Sequence, residues 1–412
     1  MLQEERIKLT NQKYIPLAAA FNKFIRFGAT FYLMSLVNPN EFANWVSLSL
    51  ILQYSIFLQL GTANAMGRET AIAFGEKNES KINTIMSATL KNYLIASVLL
   101  YIILHFVGYE YLFLYSITYF FLSQLSDLVV VNSRSRFKNN KVIFSLIIES
   151  IVIMLGIIFF LEIYMIKGLL VVFSVGALIN IIIHVPYRIV ILNALAINKE
   201  TLKESKYLIS QGLPLLIFNI LMLLKDTWDI ILIKLLYSEY YVQFASTQIF
   251  GNGVRVIGAL VSIILIPNMA KEFGESKVLF SNNNIKIFTR STYFFTIIFI
   301  LFFILFFPMI QFLIENFIPQ YEESKDIIYF RSVSVFLGLV SLPALTMINM
   351  NRKTSVAIGI ISIVFSLNIL IFLILNLYIS TIYAFIIATF IGNLLLLLIL
   401  MFSIKAMKAN AS

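Results

Sequence analysis

Asn22, Lys23 and Arg26 interrupt an apolar run, Tyr14 to Val37, that is long enough to cross a bilayer: YIPLAAAFNKFIRFGATFYLMSLV. At about 1.5 Å of rise per residue, Lys23 lies roughly 13 Å and Arg26 roughly 18 Å in from Tyr14, close to the midplane of a ~30 Å hydrocarbon layer. A charge at that depth costs at least ~2.5–3.5 kcal/mol, so it must look into protein or water and must answer an anion. The i, i+3 spacing puts both cations on one helix face. Two chemistries follow: a structural ion pair with an acid on another helix, or contact with an anionic ligand. Lys and Arg give charge-assisted hydrogen bonds to phosphate oxygens, so a phosphate-bearing ligand suits this face, although charge alone does not separate a diphosphate from a carboxylate.

More charges fall deep in apolar runs. In LPLLIFNILMLLKDTWDIILIKLL, Lys225 and Asp229 stand at i, i+4 and are expected to pair along one face, leaving Asp226 to another partner. Arg255 falls near the middle of its run, just after Gly251-Asn252-Gly253. Arg331 stands five residues into its own run and is expected to snorkel to the outer interface, so it ranks lower. Glu149 and Asp127 read as nearer the cytoplasmic ends of their helices. Lys23, Arg26, Lys225 and Arg255 thus face Glu149, Asp226 and Asp229, and the cationic excess gathers on the first helix, which has no acid of its own.

The elements that must position these groups are transmembrane helices. Of the 412 residues, 60% are hydrophobic and 13% charged, and the mean hydropathy is +0.90, beyond any ordinary soluble domain. Spanning runs read as helices at 14–37, 42–63, 84–107, 111–132, 142–163, 168–192, 208–236, 241–267, 289–314, 326–348, 354–378 and 382–404. The polar start runs into the first span without a small-residue cleavage site, so that helix is expected to stay. Alternate loops hold nearly all the Lys and Arg, from Arg6, Lys8 and Lys13 to Lys405 and Lys408, while the turns near 38, 108 and 380 hold none. The positive-inside rule therefore puts both termini in the cytoplasm.

A parallel internal repeat is expected, with halves 1–198 and 199–412 joined by the polar NKETLKESKY. Pro16 precedes Glu41 by the same 25 positions that separate Pro214 from Glu239, and AFGE at 73–76 is echoed by EFGE at 272–275. No cofactor or metal is expected. Cysteine is absent, and His105 and His184 lie far apart and read as helix-end residues; nor is there a Walker motif or a Ser/His/Asp arrangement. The 38 Phe and 20 Tyr read mainly as lipid-facing or interfacial belts.

Specific segments resemble a known family. LVNPNEFANWVSLSLILQYSIFLQLGTANAMGRETA (36–71) is similar to the short outer turn, aromatic-bearing second helix and Leu-Gly end of the Wzx-like O-antigen and polysaccharide flippases, within the multidrug/oligosaccharidyl-lipid/polysaccharide (MOP) exporter superfamily. GLPLLIFNILMLLKDTWDIILIKLLYSEYYVQFASTQIF (212–250) resembles the family's Gly-x-Pro opening of helix 7, and Pro267 its end of helix 8. The resemblance implies twelve transmembrane helices in two pseudo-symmetric six-helix bundles around a central cavity, an all-α polytopic fold. It implies a flippase, not an enzyme, that carries a polyprenyl-diphosphate-linked oligosaccharide to the outer leaflet by alternating access, next to polysaccharide polymerase or assembly proteins. The resemblance also implies a bacterial cytoplasmic (inner) membrane, and the substrate-binding residues it implies are Lys23, Arg26, Lys225, Asp229 and Arg255; Asn22 joins them on the first helix, and Arg331, on the tenth, ranks lower. Gln59-Leu60-Gly61 departs from the Asp-Leu-Gly of many relatives, which leaves ion coupling open. A drug or small-cation exporter of the same superfamily, which would want an acid where the first helix offers cations, and a non-transporting scaffold stay as alternatives. A membrane glycosyltransferase or polymerase would want a larger outer loop than ENFIPQYEESKD.

Overall fold

The computed structural model describes residues 14–136, 138–184, 199–256, 282–350 and 354–409. Among them every regular element is helical. Seven helical segments are long and apolar enough to cross a membrane, or eight if one bent pair is a single span. The protein is a multi-pass membrane protein. The chain divides into two compact units, 1–36 with 47–217, and 37–46 with 218–412.

The first unit holds α1 (Tyr14–Leu36), most of α2 (Pro39–Ser55), α3 (Thr62–Gly75), α4 (Glu79–Val107), α5 (Phe113–Ser135), α6 (Asn139–Gly156), α7 (Glu162–His184) and the opening of α8 (Lys199–Leu236). The second expected helix does not stop at 63. A short 3-10 turn, Ile56–Gln59, leads into Leu60 and Gly61, both left-handed at φ 52° and 78°, and the chain turns by 51° into α3. Only glycine fits at 61: a Cβ there would lie 2.7 Å from the carbonyl oxygen of Gly212, and a Cβ on Gly212 would run into the Gly61 backbone. The Leu-Gly of helix 2 and the Gly-x-Pro of helix 7 are thus two sides of one backbone contact. Asn78 caps α4 by accepting from the Lys81 N–H at 3.0 Å, and Gly108, left-handed, ends it. A π turn, Ile157–Leu161, leads from α6 into α7, which breaks at Met165 (φ 47°), and α6 and α7 pack against each other. Helix α1 lies on α6 and α7, and α5 on α4 and α7.

The second unit contains the rest of α8, then α9 (241–256), α10 (Asn282–Phe317), α11 (Lys325–Val340), α12 (Leu342–Met350), α13 (Thr354–Leu375) and α14 (Thr381–Ala409). The tenth expected helix, 326–348, is two, broken at Ser341, whose Oγ and N–H both turn back to the Gly338 carbonyl. Trp228 packs edge-on to Phe385 at 5.2 Å, and Phe385 stacks on Phe372 at 3.9 Å, an aromatic core between α8, α13 and α14. The described part of the expected polar linker, from Lys199 onward, is helical and continuous with α8, and packing divides the chain at 217/218. The expected helix 6 beyond 184, helix 8 beyond 256 with Pro267, and the EFGE repeat at 272–275 lie outside the described residues.

Candidate functional site

In the first unit Arg26 finds an acid on another helix. Its guanidinium contacts Glu149 of α6, and the other Glu149 oxygen accepts from Asn180 of α7. Arg26 Nε donates to Asn22 Oδ1 at 3.2 Å, Asn22 Nδ2 donates to Ser150 Oγ at 3.2 Å, and the Phe173 ring lies 4.8 Å from the guanidinium. Glu149 is 3% exposed, and it answers Arg26, one of the two cations on the first helix. Of the two chemistries open for Arg26, the structure shows the ion pair.

Lys23 differs. It is exposed and makes no hydrogen bond or ion pair among the described residues; its nearest electrostatic partner is Asp127 of α5. Asp127 is also exposed, although it stands well inside an apolar helix, and it interacts with Arg26, Glu149 and Lys23 alike. An exposed carboxylate and ammonium at that depth cannot face lipid. The part-exposed Tyr119 and Ser123 share the Asp127 face of α5 at four-residue steps, which makes it a polar strip.

The second unit carries a separate cluster. Lys225 Nζ lies 2.7 Å from Asp226 Oδ1 and donates to Asn393 Oδ1 of α14 at 2.9 Å. Asn393 Nδ2 in turn donates to the Ser334 carbonyl at 2.8 Å, in a space kept by Gly338, where a Cβ would come within 3.1 Å of Asn393. Asp229 is taken by Arg331 in a two-pronged pair, Nε to Oδ2 at 2.9 Å and Nη2 to Oδ1 at 3.0 Å. Arg331 Nη1 donates to Thr247 Oγ1 and Gln248 Oε1, and the guanidinium lies over Phe244. The expected Lys225–Asp229 pair is therefore not formed, because Arg331 claims Asp229. Nor does Arg331 snorkel: it is 1% exposed, the largest of the fully buried side chains among the described residues.

Arg255 completes the cluster. Its Nη1 donates to Asn252 Oδ1 at 2.8 Å and its Nη2 to the Asp226 carbonyl at 3.1 Å. Its Nε lies 3.7 Å from Asp226 Oδ2, too far for a hydrogen bond, and has no other partner among the described residues. Three cations here share two carboxylates. The surplus sits at the Asp226–Arg255 edge, where the side chains are 30% and 22% exposed. No structure-independent rule pointed to Asp226 as the shared acid, but Asn180 and Asn393, lone amides within apolar helices, were a signal in the sequence for polar partners to the buried charges.

Gln59, before Leu60-Gly61, is buried, its Nε2 donating to Gln124 Oε1 at 3.0 Å. Lys91 of α4 is an interior cation that the sequence reading passed over; its Nζ is buried without a hydrogen-bond partner among the described residues.

No protein-family model matches the sequence, and no curated protein matches it. Solved structures do. The Vibrio cholerae MATE transporter VcmN superposes with a TM-score of 0.69 at 12% identity, covering 98% of this chain and 98% of its own. The lipid II flippase MurJ, in an inward closed conformation, superposes with a TM-score of 0.68 at 15% identity, covering 95% of this chain and 87% of its own. The chain has the fold of the MOP-superfamily transporters. A MOP superfamily transporter from Pyrococcus furiosus described by the reverse polarity of its binding pocket is also similar, with a TM-score of 0.64 at 10% identity over 97% of this chain and 96% of its own.

Proposed function

We propose that this protein is a flippase of the MOP superfamily that moves a polyprenyl-diphosphate-linked oligosaccharide, an O-antigen or similar polysaccharide repeat unit, from the cytoplasmic to the outer leaflet. Fold does not choose between exporter and flippase, since VcmN and MurJ superpose almost equally well. The Pyrococcus relative, named for a pocket of reversed polarity, argues that the charge of the site decides what this fold carries. The observation that carries the reading is the second-unit cluster, where three cations share two carboxylates and Arg255 keeps a buried Nε donor unfilled. Such an edge suits a diphosphate, whose oxygens accept from guanidinium and ammonium at once. A sugar-bearing diphosphate cannot cross hydrocarbon unaided, because its polar groups would lose water without replacement.

The test is complementation of a flippase-deficient bacterial strain that carries the cognate glycan pathway, scoring surface polysaccharide and inner-leaflet lipid-linked intermediate. Wild type is expected to restore export and Arg255→Ala to accumulate the intermediate at matched protein level. Normal export by Arg255→Ala overturns the assignment of the site. One observation favours the exporter reading instead: Asp127, an exposed carboxylate deep in α5, is what a cationic drug or a proton would seek. Efflux of a cationic dye that depends on Asp127, with no effect on glycan export, would establish that reading.

A further inference from the structure

Arg331 and Asp229 satisfy each other, and both are buried. Asp226 is placed differently. It stands alone between two cations on different helices, its Oδ1 2.7 Å from Lys225 and its Oδ2 3.7 Å from Arg255. Lys225 has a second partner in Asn393, and the Arg255 guanidinium is fixed by Asn252 and by the Asp226 carbonyl, so both cations hold their positions without the Asp226 carboxylate. The carboxylate is part-exposed, and the Nε donor it fails to reach is unfilled.

We propose that Asp226 is a built-in counter-ion that competes with the anionic substrate for Lys225 and Arg255, so that substrate binds by displacing it and is released when it returns. The proposal rests on the anion-binding reading of this cluster and adds its regulation. The physical logic is one of difference. A cationic pocket without a resident anion would hold a diphosphate tightly and free it slowly. A carboxylate tethered in the pocket weakens the bound state and stabilises the empty one, which turnover requires. The same carboxylate also lowers the cost of two cations near the membrane interior while no substrate is bound.

The test uses the full-length protein in nanodiscs and inorganic pyrophosphate as the probe, titrated by calorimetry at fixed ionic strength. Asp226→Asn is expected to bind pyrophosphate about 10- to 100-fold more tightly than wild type, the span of one competing charged hydrogen-bond partner. In cells the same variant is expected to export less glycan despite binding better. Glu110→Gln, which changes the net charge equally but is an exposed residue of the other unit, is expected to leave the affinity within about twofold. Asp226→Ser serves where the amide variant does not fold. If Asp226→Asn and Asp226→Ser bind no more tightly than wild type while Arg255→Gln loses binding, the counter-ion proposal falls and the anion site stands. If pyrophosphate binds neither wild type nor any variant, the anion-binding reading falls and takes the proposal with it.

Discussion

Replacing Arg331 with Met tests whether the most buried cation among the described residues of the second unit is structural. The substitution removes both prongs of the pair with Asp229 and the donors to Thr247 and Gln248. Asp229 is then left 2% exposed with the Ile230 N–H, 2.8 Å away, still donating to it. Removing one partner of a buried pair costs about 3–5 kcal/mol, because the remaining charge has neither water nor counter-ion. For a unit of this size about 2–4 °C of melting temperature corresponds to each kcal/mol, so the midpoint should fall by about 6–20 °C. The assay is thermal unfolding of the detergent-solubilised protein, followed by size-exclusion recovery. The discriminating variant is the double, Arg331→Met with Asp229→Leu, which replaces the pair by apolar groups beside Phe244 and Trp228. Such exchanges are often neutral, so the double should recover more than half of the loss, while Thr247 keeps its bond to the Phe244 carbonyl at 2.6 Å. A double variant that melts no higher than Arg331→Met alone would refute the account. A double that is stable yet exports nothing would return Arg331 to the substrate-binding set.

Lys23→Ala removes an exposed ammonium without hydrogen bonds among the described residues, so the melting temperature should stay within the range of an ordinary surface change, about ±0.5 kcal/mol, while glycan export falls. Unchanged export would remove Lys23 from the site. Gly212→Val should destabilise the first unit by about 1–3 kcal/mol or more, because the new side chain meets the Gly61 backbone, whereas Gly28→Ala, with nothing within 4 Å of its Cβ, should be neutral or stabilising. Equal melting temperatures for the two variants would show that the close approach of helices 2 and 7 is not made.

The helices were legible because a span is a long apolar run and a turn is marked: Gly108 ends α4 left-handed where the run stops, and α1 ends at Leu36, one residue before its expected end. The bend at Leu60-Gly61 was not, since a two-residue left-handed break leaves the hydropathy unchanged and shows itself only through the contact with Gly212. That Arg26, Lys225 and Arg255 would need acidic partners was legible, since each falls inside an apolar run, and each has one. Partner choice was not. Helical spacing pointed Lys225 to Asp229, but that rule covers only neighbours on one helix, and Arg331, 102 residues away, takes Asp229 with two hydrogen bonds. Glu149, 123 residues from Arg26, was out of reach of any local rule.

What separates working charges from structural ones here is how completely each is satisfied, and the helices that carry the partners then decide which contacts can change. Arg331 donates to three side chains and is buried, and its pair with Asp229 joins α11 to α8 by two hydrogen bonds. Lys225 and Asp226 are sequence neighbours on α8, so no movement of one helix past another can pull them apart. Arg255 belongs to α9 and reaches the Asp226 carboxylate only at 3.7 Å, with a donor left unfilled. A shift between α8 and α9 of even an ångström therefore changes the Arg255–Asp226 contact and leaves the Lys225–Asp226 contact as it is. If the cluster is where substrate binds, the affinity of the site is set by that one distance: it rises as Arg255 moves away from the carboxylate and toward the ligand, and falls as it returns. A conformational cycle that moves α9 against α8 would then bind and release an anion without any change in protonation, which fits a chain whose Asp-Leu-Gly position is held by the uncharged Gln59.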